Sequence, residues 1–426
     1  MLDENGKKCF ENSLRRTKLF LSLSGIRISA TKWPKALEKL FDTYFYYFQV
    51  FWLYADVLGE ISWLIEGVLN GSSFLELSLA VPCITVSCLA TSKSIFLYLN
   101  RDVVVKVIDK LREIYPESDE TLKYHSNADL SHDKELDIFE DDSNKSDINT
   151  DIERDIKNES VDFLNLVVKV QYYICSAVVV AFPLMPVSTM VFIYYSTGVL
   201  EYKYVYMVKY FFDPFKMALW PYVYFHQVMS TVIVAMNVFG SDTLFYAACI
   251  YIQMHFRILC HHYENAVSAS SIQTRLNLKV AIRRHHELID LVNRVEILYT
   301  KSTLFNIVTS SFLICLSGFI ITMVEDIIVM VTFATFLFMN LSQISLLCYF
   351  GDMLMSSSTQ IVNAIYNSLW YDADERVKKS VFLILIRAQK PCKLTACNFA
   401  DLNLKAFTTI LSRSWSYFAL LKTMYK

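Results

Sequence analysis

Long apolar runs recur along this chain and are separated by shorter polar segments. A helix that crosses the hydrocarbon core of a bilayer needs about 20 mostly apolar residues. The last run, Leu404–Met424, is interrupted by Lys405, Arg413 and several hydroxyl side chains, which suits a helix shielded from lipid by its neighbours or by water. Six longer runs cover residues 40–69, 74–99, 161–195, 222–259, 304–324 and 327–350. The pattern therefore predicts an all-α membrane protein with seven transmembrane helices.

Apolar positions also recur at helical spacing beyond the membrane-length runs. In residues 246–263, and again in residues 272–300, they are interspersed with Arg, His and Glu, which is typical of amphipathic helices. We expect these helices to project into the cytoplasm and to pack with residues 352–371 into an intracellular bundle. Bundles of this kind more often hold subunits together than carry out chemistry.

The apolar runs and the segments between them divide the chain into eight parts. From the N-terminus these are a cytoplasmic segment (1–39), helices one and two (40–99), an acidic and partly disordered cytoplasmic loop (100–160), helices three and four (161–259), a cytoplasmic helical extension (260–303), helices five and six (304–350), a cytoplasmic anchor region (351–402) and the last helix (403–426).

The acidic loop has the composition of a disordered segment. Residues 117–162 are rich in Asp, Glu, Ser and Asn and almost free of aromatic residues. Such a segment buries too little apolar surface to offset the entropy of ordering, so we predict that it is disordered. A calcium-binding or partner-binding tract is the alternative, although the glycine that an EF-hand loop needs for its sharp turn is missing.

Composition agrees with a membrane protein. Of the 426 residues, 54% are hydrophobic, against roughly 45–50% in soluble domains. The net charge of −2 provides no basic field for a nucleic acid. The N-terminal 35 residues lack a sustained apolar region and a small-residue cleavage site, so no cleaved signal peptide is expected. The ten cysteines lie mostly inside apolar runs without zinc-site spacing, and most are expected to be small buried apolar residues.

Positive charges are distributed unevenly around the apolar runs. The first 39 residues contain nine Lys and Arg, and the segments after the fourth and sixth runs are also basic, whereas the turn after the first run contains none. Positively charged loops remain in the cytoplasm, so the N-terminus is predicted to be cytoplasmic and the C-terminus extracellular. Asn70 then starts a glycosylation sequon in the first outer loop. This orientation, together with the absence of DRY and NPxxY motifs, argues against a G-protein-coupled receptor.

One segment superficially resembles a zinc protease motif. His286 and Glu287 begin an HExxH-like sequence, but Asp290 stands where the second histidine would bind the metal. A charged helix face is the preferred interpretation. Without a glycine-rich phosphate loop or a GxSxG elbow, the sequence predicts no catalytic site, no metal site and no cofactor.

The C-terminal third contains a dense series of motifs. They comprise Gln343, then Tyr349 and Gly351, then Ala364, Tyr366, Ser368, Trp370 and Tyr371, then Arg387, Ala388, Gln389, Lys390 and Pro391, and finally Ser416, Tyr417, Phe418, Leu420 and Leu421. This series closely resembles the end of insect odorant receptors. Residues 240–245 and 286–319 also resemble that family, so the resemblance covers most of the chain and is weakest before Asn165.

The resemblance has two departures and one distinguishing feature. The family usually has glycine where Cys397 stands, and the long acidic loop is unusual. Gustatory receptors share the fold but usually end in a Thr-Tyr motif followed by Gln-Phe, which is missing after Tyr417. The co-receptor of odorant receptors is similar to gustatory receptors at this end. The chain therefore resembles a tuning subunit that pairs with the co-receptor.

The resemblance implies a tetramer in which one last helix per subunit surrounds a central pore. Steps of three and four residues place one set of side chains on one face of that helix. The predicted pore residues are Ser412, Ser416, Leu420, Thr423 and Met424. Leu420 is the predicted hydrophobic constriction that closes by dewetting. The alternative is that Leu420 only packs against a neighbouring helix.

The resemblance also implies a ligand pocket between helices two, three, four and six in the outer half of the membrane. Odorants are small and apolar, so the pocket should be aromatic and aliphatic. The predicted ligand-binding residues are Val81, Thr85, Phe182, Met185, Tyr224, Val228, Phe333, Phe336 and Leu337. For each of them, a lipid-facing or core position is the alternative.

The function implied is a subunit of an odorant-gated, non-selective cation channel. Its expected partners are the odorant receptor co-receptor in a hetero-tetramer, small volatile organic ligands and membrane lipids, and no nucleic acid is expected. The expected location is the plasma membrane of olfactory sensory neuron dendrites, as a multi-pass protein. A gustatory-type receptor, a homomeric ligand-gated channel, and a structural or transport membrane protein remain open.

Overall fold

The computed structural model describes residues 3–26, 35–115, 141–268 and 270–424. The helices in this part of the chain are α1 (Asp3–Ser13), α2 (Arg15–Leu23), α3 (Lys35–Leu69), α4 (Phe74–Ser78), α5 (Val81–Leu99), α6 (Arg101–Ile114), α7 (Asp141–Thr197), α8 (Trp220–Glu264), α9 (Ser271–Met323), α10 (Ile327–Asn367), α11 (Glu375–Ala388) and α12 (Leu404–Met424). A short 3-10 helix covers Trp370–Asp372. Strands β1 (Thr395–Ala396) and β2 (Ala400–Asp401) form an antiparallel pair.

Five of the described helical segments are long and apolar enough to cross a membrane. They are Glu76–Leu99, Asp151–Thr197, Trp220–Glu264, Ser271–Met323 and Val329–Asn367. Helix α12, which was predicted as the seventh span, is not among them, because Lys405, Arg413 and several hydroxyl side chains interrupt its apolar sequence. Helix α3 is not among them either, although its apolar run was predicted as a span. Asp56, Glu60 and Glu66 lie within that run, and such charges belong at protein-facing positions of a span.

Helix α8 forms the centre of the helix bundle. It packs against α2, α3, α5, α7, α9 and α10, and its side chains from Gly240 to Ile252 are buried throughout. A helix with mostly apolar residues on every side is suited to the centre of a bundle. The outer helices show the complementary pattern, because large apolar side chains such as Phe51 and Phe192 are exposed on the surface of the protomer. A broad apolar surface of this kind suits lipid contact.

The largest buried core lies where α8, α9 and α10 continue past bilayer length. Leu288 and Val295 of α9 pack there with Tyr251 and Leu259 of α8 and with Ile361 of α10. The predicted extension of residues 260–303 is therefore no separate element, since α9 runs continuously from the extension into the span. Helix α11 and strand β1 close this bundle.

Two titratable groups in this bundle have shifted pKa values. Asp374 caps the N-terminus of α11 by accepting a hydrogen bond from the Val377 amide at 2.8 Å. The hydrogen bond from Arg275, followed by that amide, lowers the pKa of Asp374 to about 2. Burial, followed by the positive charge of Arg387, lowers the pKa of His285 to about 4.

The prediction that residues 117–162 are disordered is wrong for its last part. Residues 116–140 lie outside the described part of the chain, but α7 begins at Asp141 and includes the rest of the acidic tract. Ser160, Leu164 and Val168 repeat every four residues and are buried. Arg257 of α8 donates to Glu159 at 2.7 Å. The described acidic residues Asp151, Asp155, Glu159 and Asp162 are exposed on the solvent side of this helix. A composition averaged over the whole tract does not show this separation of buried and exposed faces.

The turn before α12 forms without the glycine that is usual at Cys397. Cys397 has φ of 51°, in the left-handed region that costs a non-glycine residue roughly 1–2 kcal/mol. Its amide donates to Thr300 of α9 at 2.8 Å. Nearby, a Cβ atom on Gly351 would lie 2.5 Å from the backbone oxygen of Leu402. Glycine at residue 351 therefore allows the chain entering α12 to lie directly against α10.

Candidate functional site

Three aromatic side chains form a line between α7 and α10. The ring centroids of Phe182 and Phe336 are 6.1 Å apart, and those of Phe336 and Phe333 are 6.4 Å apart. Phe182 also lies 6.0 Å from Tyr206, which belongs to the loop between α7 and α8. Aromatic pairs are favourable at these separations, and apolar rings are the lining expected for a small volatile ligand. We call Phe182, Phe336 and Phe333 the aromatic line.

The aromatic line continues into a cluster that also contacts the last helix. Phe333 packs with Leu316, Phe319 and Ile320 of α9, and Val81 of α5 packs against the same cluster. Phe418 of α12 also packs against it. A Cβ atom on Gly318 would lie 3.7 Å from the Phe418 ring. The structure thus brings four predicted ligand-binding residues together and places their cluster in contact with α12.

The other predicted ligand-binding residues are more dispersed. Tyr224 donates a hydrogen bond to the Pro183 carbonyl, which joins α8 to α7. Thr85 donates to the Val81 carbonyl within its own helix, at 2.7 Å. Val228 and Leu337 are half-buried, and Met185 is exposed on the surface of the protomer.

A buried polar cluster that was not predicted from the sequence lies between α3 and α8. Asp56 of α3 accepts hydrogen bonds from Ser230 and, at 3.3 Å, from Tyr210, and its Oδ1 lies 2.9 Å from His226 Nδ1. Glu60 follows one turn later. Asp56 and Glu60 are each only 2% exposed, and Glu60 Oε2 has no hydrogen-bond partner among the described residues. An ionisable residue within a membrane span is a candidate functional residue. Asp56 and Glu60, four residues apart in a predicted span, could therefore have been identified from the sequence.

The loop between α7 and α8 connects the polar cluster to the aromatic line. Gln227 Oε1 accepts hydrogen bonds from the backbone amides of Val205 and Tyr206, at 2.9 and 3.1 Å. The Tyr206 hydroxyl lies 2.7 Å from Thr231 Oγ1. These bonds hold the loop against α8, where the Tyr206 ring reaches Phe182. The candidate site therefore has an aromatic wall and a hydrogen-bonding end.

A buried ion pair joins three helices at another level of the bundle. Lys93 Nζ of α5 lies 2.5 Å from Asp242 Oδ1 of α8, and the two side chains are 3% and 6% exposed. Gln343 of α10 donates to Asp242 Oδ2 at 2.8 Å. Buried charges persist in proteins when they are paired and hydrogen-bonded. Asp242 and Gln343 both belong to the motifs noted in the sequence, and here they share one network.

Helix α12 buries one side and exposes the other. Ile410 and Ser414 are its buried residues, and Ser414 donates to the Ser311 carbonyl of α9 at 3.3 Å. The residues predicted to line a pore are all exposed on this protomer; they are Ser412, Ser416, Leu420, Thr423 and Met424. Asn70, the predicted glycosylation site, is exposed in the turn after α3.

Comparison with known families decides the identity of this helical bundle. The family model described as "7tm Odorant receptor" matches residues 134–414. The chain belongs to the seven-transmembrane odorant receptor family. It is therefore an olfactory receptor with membrane-spanning helices and not an enzyme, as the resemblance predicted.

Individual odorant receptors are similar over different shares of the chain. Odorant receptor 67c of Drosophila melanogaster is 22% identical over 428 residues, covering 99% of this chain and 98% of that protein. Odorant receptor 85b of the same species is 33% identical over 187 residues, 44% of this chain and 48% of that protein. The olfactory receptor OR5 of Machilis hrabei, solved with eugenol, has a TM-score of 0.75 at 14% identity, covering 98% of this chain and 99% of that chain. This likeness confirms the seven-transmembrane fold of an insect odorant receptor.

Proposed function

We propose that this odorant receptor is the ligand-binding subunit of an odorant-gated, non-selective cation channel that assembles with the odorant receptor co-receptor as a hetero-tetramer. We further propose that its N-terminus is cytoplasmic, its C-terminus is extracellular, and the complex lies in the dendritic plasma membrane of olfactory sensory neurons. The observation that carries the channel proposal is the cluster shared by Val81, Phe333 and Phe418. It connects the aromatic line to the helix that bears the predicted pore residues.

The candidate site would bind small volatile molecules mainly by apolar contact. Phe182, Phe333 and Phe336 supply aromatic faces, and Val81 adds an aliphatic surface. Burial of apolar ligand surface contributes roughly 25 cal/mol per Å². Tyr206 would add one hydrogen-bonding contact at the end of the line. A ligand with an apolar body and a single oxygen atom matches this arrangement.

Ligand binding would open the pore by shifting a population of conformations. A ligand favours the open state only if it binds that state more tightly. A displacement of Phe333 would move the surface against which Phe418 packs, and Phe418 belongs to the same helix as Leu420. Four copies of Leu420 around an axis could exclude water when close together and admit it when they separate.

Recording of currents tests this proposal. Cells that express this chain with the co-receptor should give inward current to a panel of small volatile odorants. Phe333→Ala should shift the half-maximal concentration upward for most of them, because it removes aromatic contact area. Leu420→Ala should raise the current without odorant, and Leu421→Ala on the adjacent position is the matched control.

The possible outcomes separate the alternatives. Odorant-evoked current without the co-receptor would favour a homomeric or gustatory-type channel. Solute uptake without conductance would favour a transport protein. If Leu420→Ala and Leu421→Ala behave alike in channels that respond normally, the assignment of Leu420 as the constriction is wrong.

A further inference from the structure

A cavity of about 830 Å³ opens between the N-terminal helices and α7. Helix α2 contributes Arg15, Arg16 and Lys18 to its lining, and α7 contributes Asn165 and Val168. Among the lining residues that the structure describes, none carries a carboxylate. Its volume lies within the range of small-molecule sites, about 300–1,000 Å³. The cavity is therefore large enough for a substituted sugar ring and favours a negatively charged group.

The cationic side chains of this cavity differ in how much of their bonding capacity is in use. Lys18 forms an ion pair with Glu11, which also binds Arg112 at 2.7 Å. The Arg16 guanidinium lies 5.8 Å from the centre of the Tyr172 ring. Within the part of the chain that the structure describes, neither Arg15 nor Arg16 forms an ion pair. An arginine fork matches phosphate oxygens in geometry and charge, so the two arginines provide donors for a phosphorylated anion.

Apolar side chains extend from the rim of the cavity. Leu19, which lines it, and Leu23 are exposed on α2, and Tyr172 of α7, whose ring faces the Arg16 guanidinium, is 38% exposed. A soluble anion would leave these side chains in contact with water. A lipid would cover them with its acyl chains while its headgroup contacts the arginines. The combination of a cationic cavity and an apolar rim thus favours an anionic lipid over a free phosphate compound.

We propose that this cavity binds the phosphorylated headgroup of an inositol phospholipid from the cytoplasmic leaflet. The proposal uses the cytoplasmic position of the N-terminus that is part of the proposed function, because anionic lipids are concentrated in that leaflet. The bound lipid bridges α2 and α7, with its phosphates at Arg15 and Arg16 and its chains along Leu19 and Leu23.

Binding at this place would act on the central helix. Ser24, directly after α2, donates to the Met236 carbonyl of α8 at 3.0 Å. A Cβ atom on Gly240 would lie 3.3 Å from Ser24 Oγ, so α2 contacts α8 two residues before Asp242. A lipid that fixes α2 therefore stabilises one arrangement of the central helix and alters the ease of channel opening.

The test measures lipid binding to the purified full-length complex. Water-soluble, short-chain phosphatidylinositol bisphosphate is titrated against the wild-type complex and against complexes with Arg15→Gln, Arg16→Gln or both. Each substitution should weaken binding about fivefold, and both together about 25-fold, as expected for cations near a membrane surface. Wild-type binding should also weaken as salt concentration rises.

The matched control removes the same charge from another basic surface. Lys279 and Arg283 are exposed and four residues apart on α9, and their double change to Gln should leave binding unchanged. The proposal is overturned if the control loses as much affinity, if the arginine variants bind as well as wild type, or if the isolated inositol phosphate headgroup binds as tightly as the lipid. Thermal unfolding of each unliganded complex checks that the single variants are folded. Because binding is measured without current, a failure here leaves the channel proposal intact, and the reverse also holds.

Discussion

The buried pair of Lys93 and Asp242 allows the sharpest test of what holds the helices together. Asp242→Asn keeps the shape of the side chain but removes its charge, which leaves Lys93 buried at 3% exposure without a counter-ion. Loss of one partner of a buried pair costs about 3–5 kcal/mol. The surface pair of Arg294 and Asp290, which is 38% and 55% exposed, is the matched control. Asp290→Asn should cost at most about 0.5 kcal/mol.

The double change Lys93→Met and Asp242→Leu separates the cost of an unpaired charge from the worth of the pair. Replacement of both charges by apolar side chains of similar volume is often neutral or stabilising. The double variant should therefore recover most of the stability that Asp242→Asn loses. Gln343, which is half-buried, would still lose its acceptor, since it donates to Asp242 at 2.8 Å, and this lost hydrogen bond should leave the double variant about 1 kcal/mol less stable than the wild type.

Thermal unfolding of the purified complex, followed by size-exclusion fluorescence, measures these differences. For a chain of this length, 3–5 kcal/mol corresponds to a fall of about 3–5 °C in the unfolding temperature. The reasoning is refuted if Asp242→Asn shifts that temperature no more than Asp290→Asn does. It is also refuted if the double variant is less stable than the single one, because that result would mean that the pair itself stabilises the bundle.

Three other predictions concern single residues: the packing of Gly351, the backbone angle of Cys397 and the pKa of His285. Gly351→Ala should lower the yield of folded receptor, because its Cβ would lie 2.5 Å from the Leu402 backbone oxygen; normal thermal stability of this variant would contradict that packing. Cys397→Gly should raise stability by about 1 kcal/mol by relieving the positive φ of 51°, and an unchanged unfolding temperature would show that no strain resides there. Because the folded-state pKa of His285 is about 4, below its ordinary 6.5, the unfolded chain binds the proton first, and stability should fall as pH drops from about 6.5 to 4. His285→Phe should flatten this pH dependence and His286→Gln should not.

The helices could be predicted from sequence because bilayer thickness imposes a minimum length on each apolar run. The extensions could be predicted because residues such as Leu288 and Val295 repeat at helical spacing, and both are buried. The acidic tract was mispredicted because its buried residues are spaced four apart among many charges, so that composition outweighed periodicity. Ile156, which packs against the core, and the buried Ser160 are examples.

The candidate site was only partly predictable from the sequence. Phe182, Phe333 and Phe336 do meet, as the family resemblance implied, but the resemblance was needed to choose them among 30 phenylalanines. The path of the loop that brings Tyr206 to Thr231 depends on long-range hydrogen bonds, which no local pattern encodes. Asp56 was visible in the sequence, but it lies in a run assessed by its average hydropathy.

The uninterrupted length of α9 has a mechanical consequence. Its 53 residues extend about 80 Å at 1.5 Å per residue, more than twice the roughly 30 Å of the hydrocarbon layer. If a helix of that length pivots at a point within the bilayer, a tilt of only a few degrees displaces its far tip by several ångströms. A small ligand that tilts α9 at one end would in this way change the contacts that α9 makes at its other end.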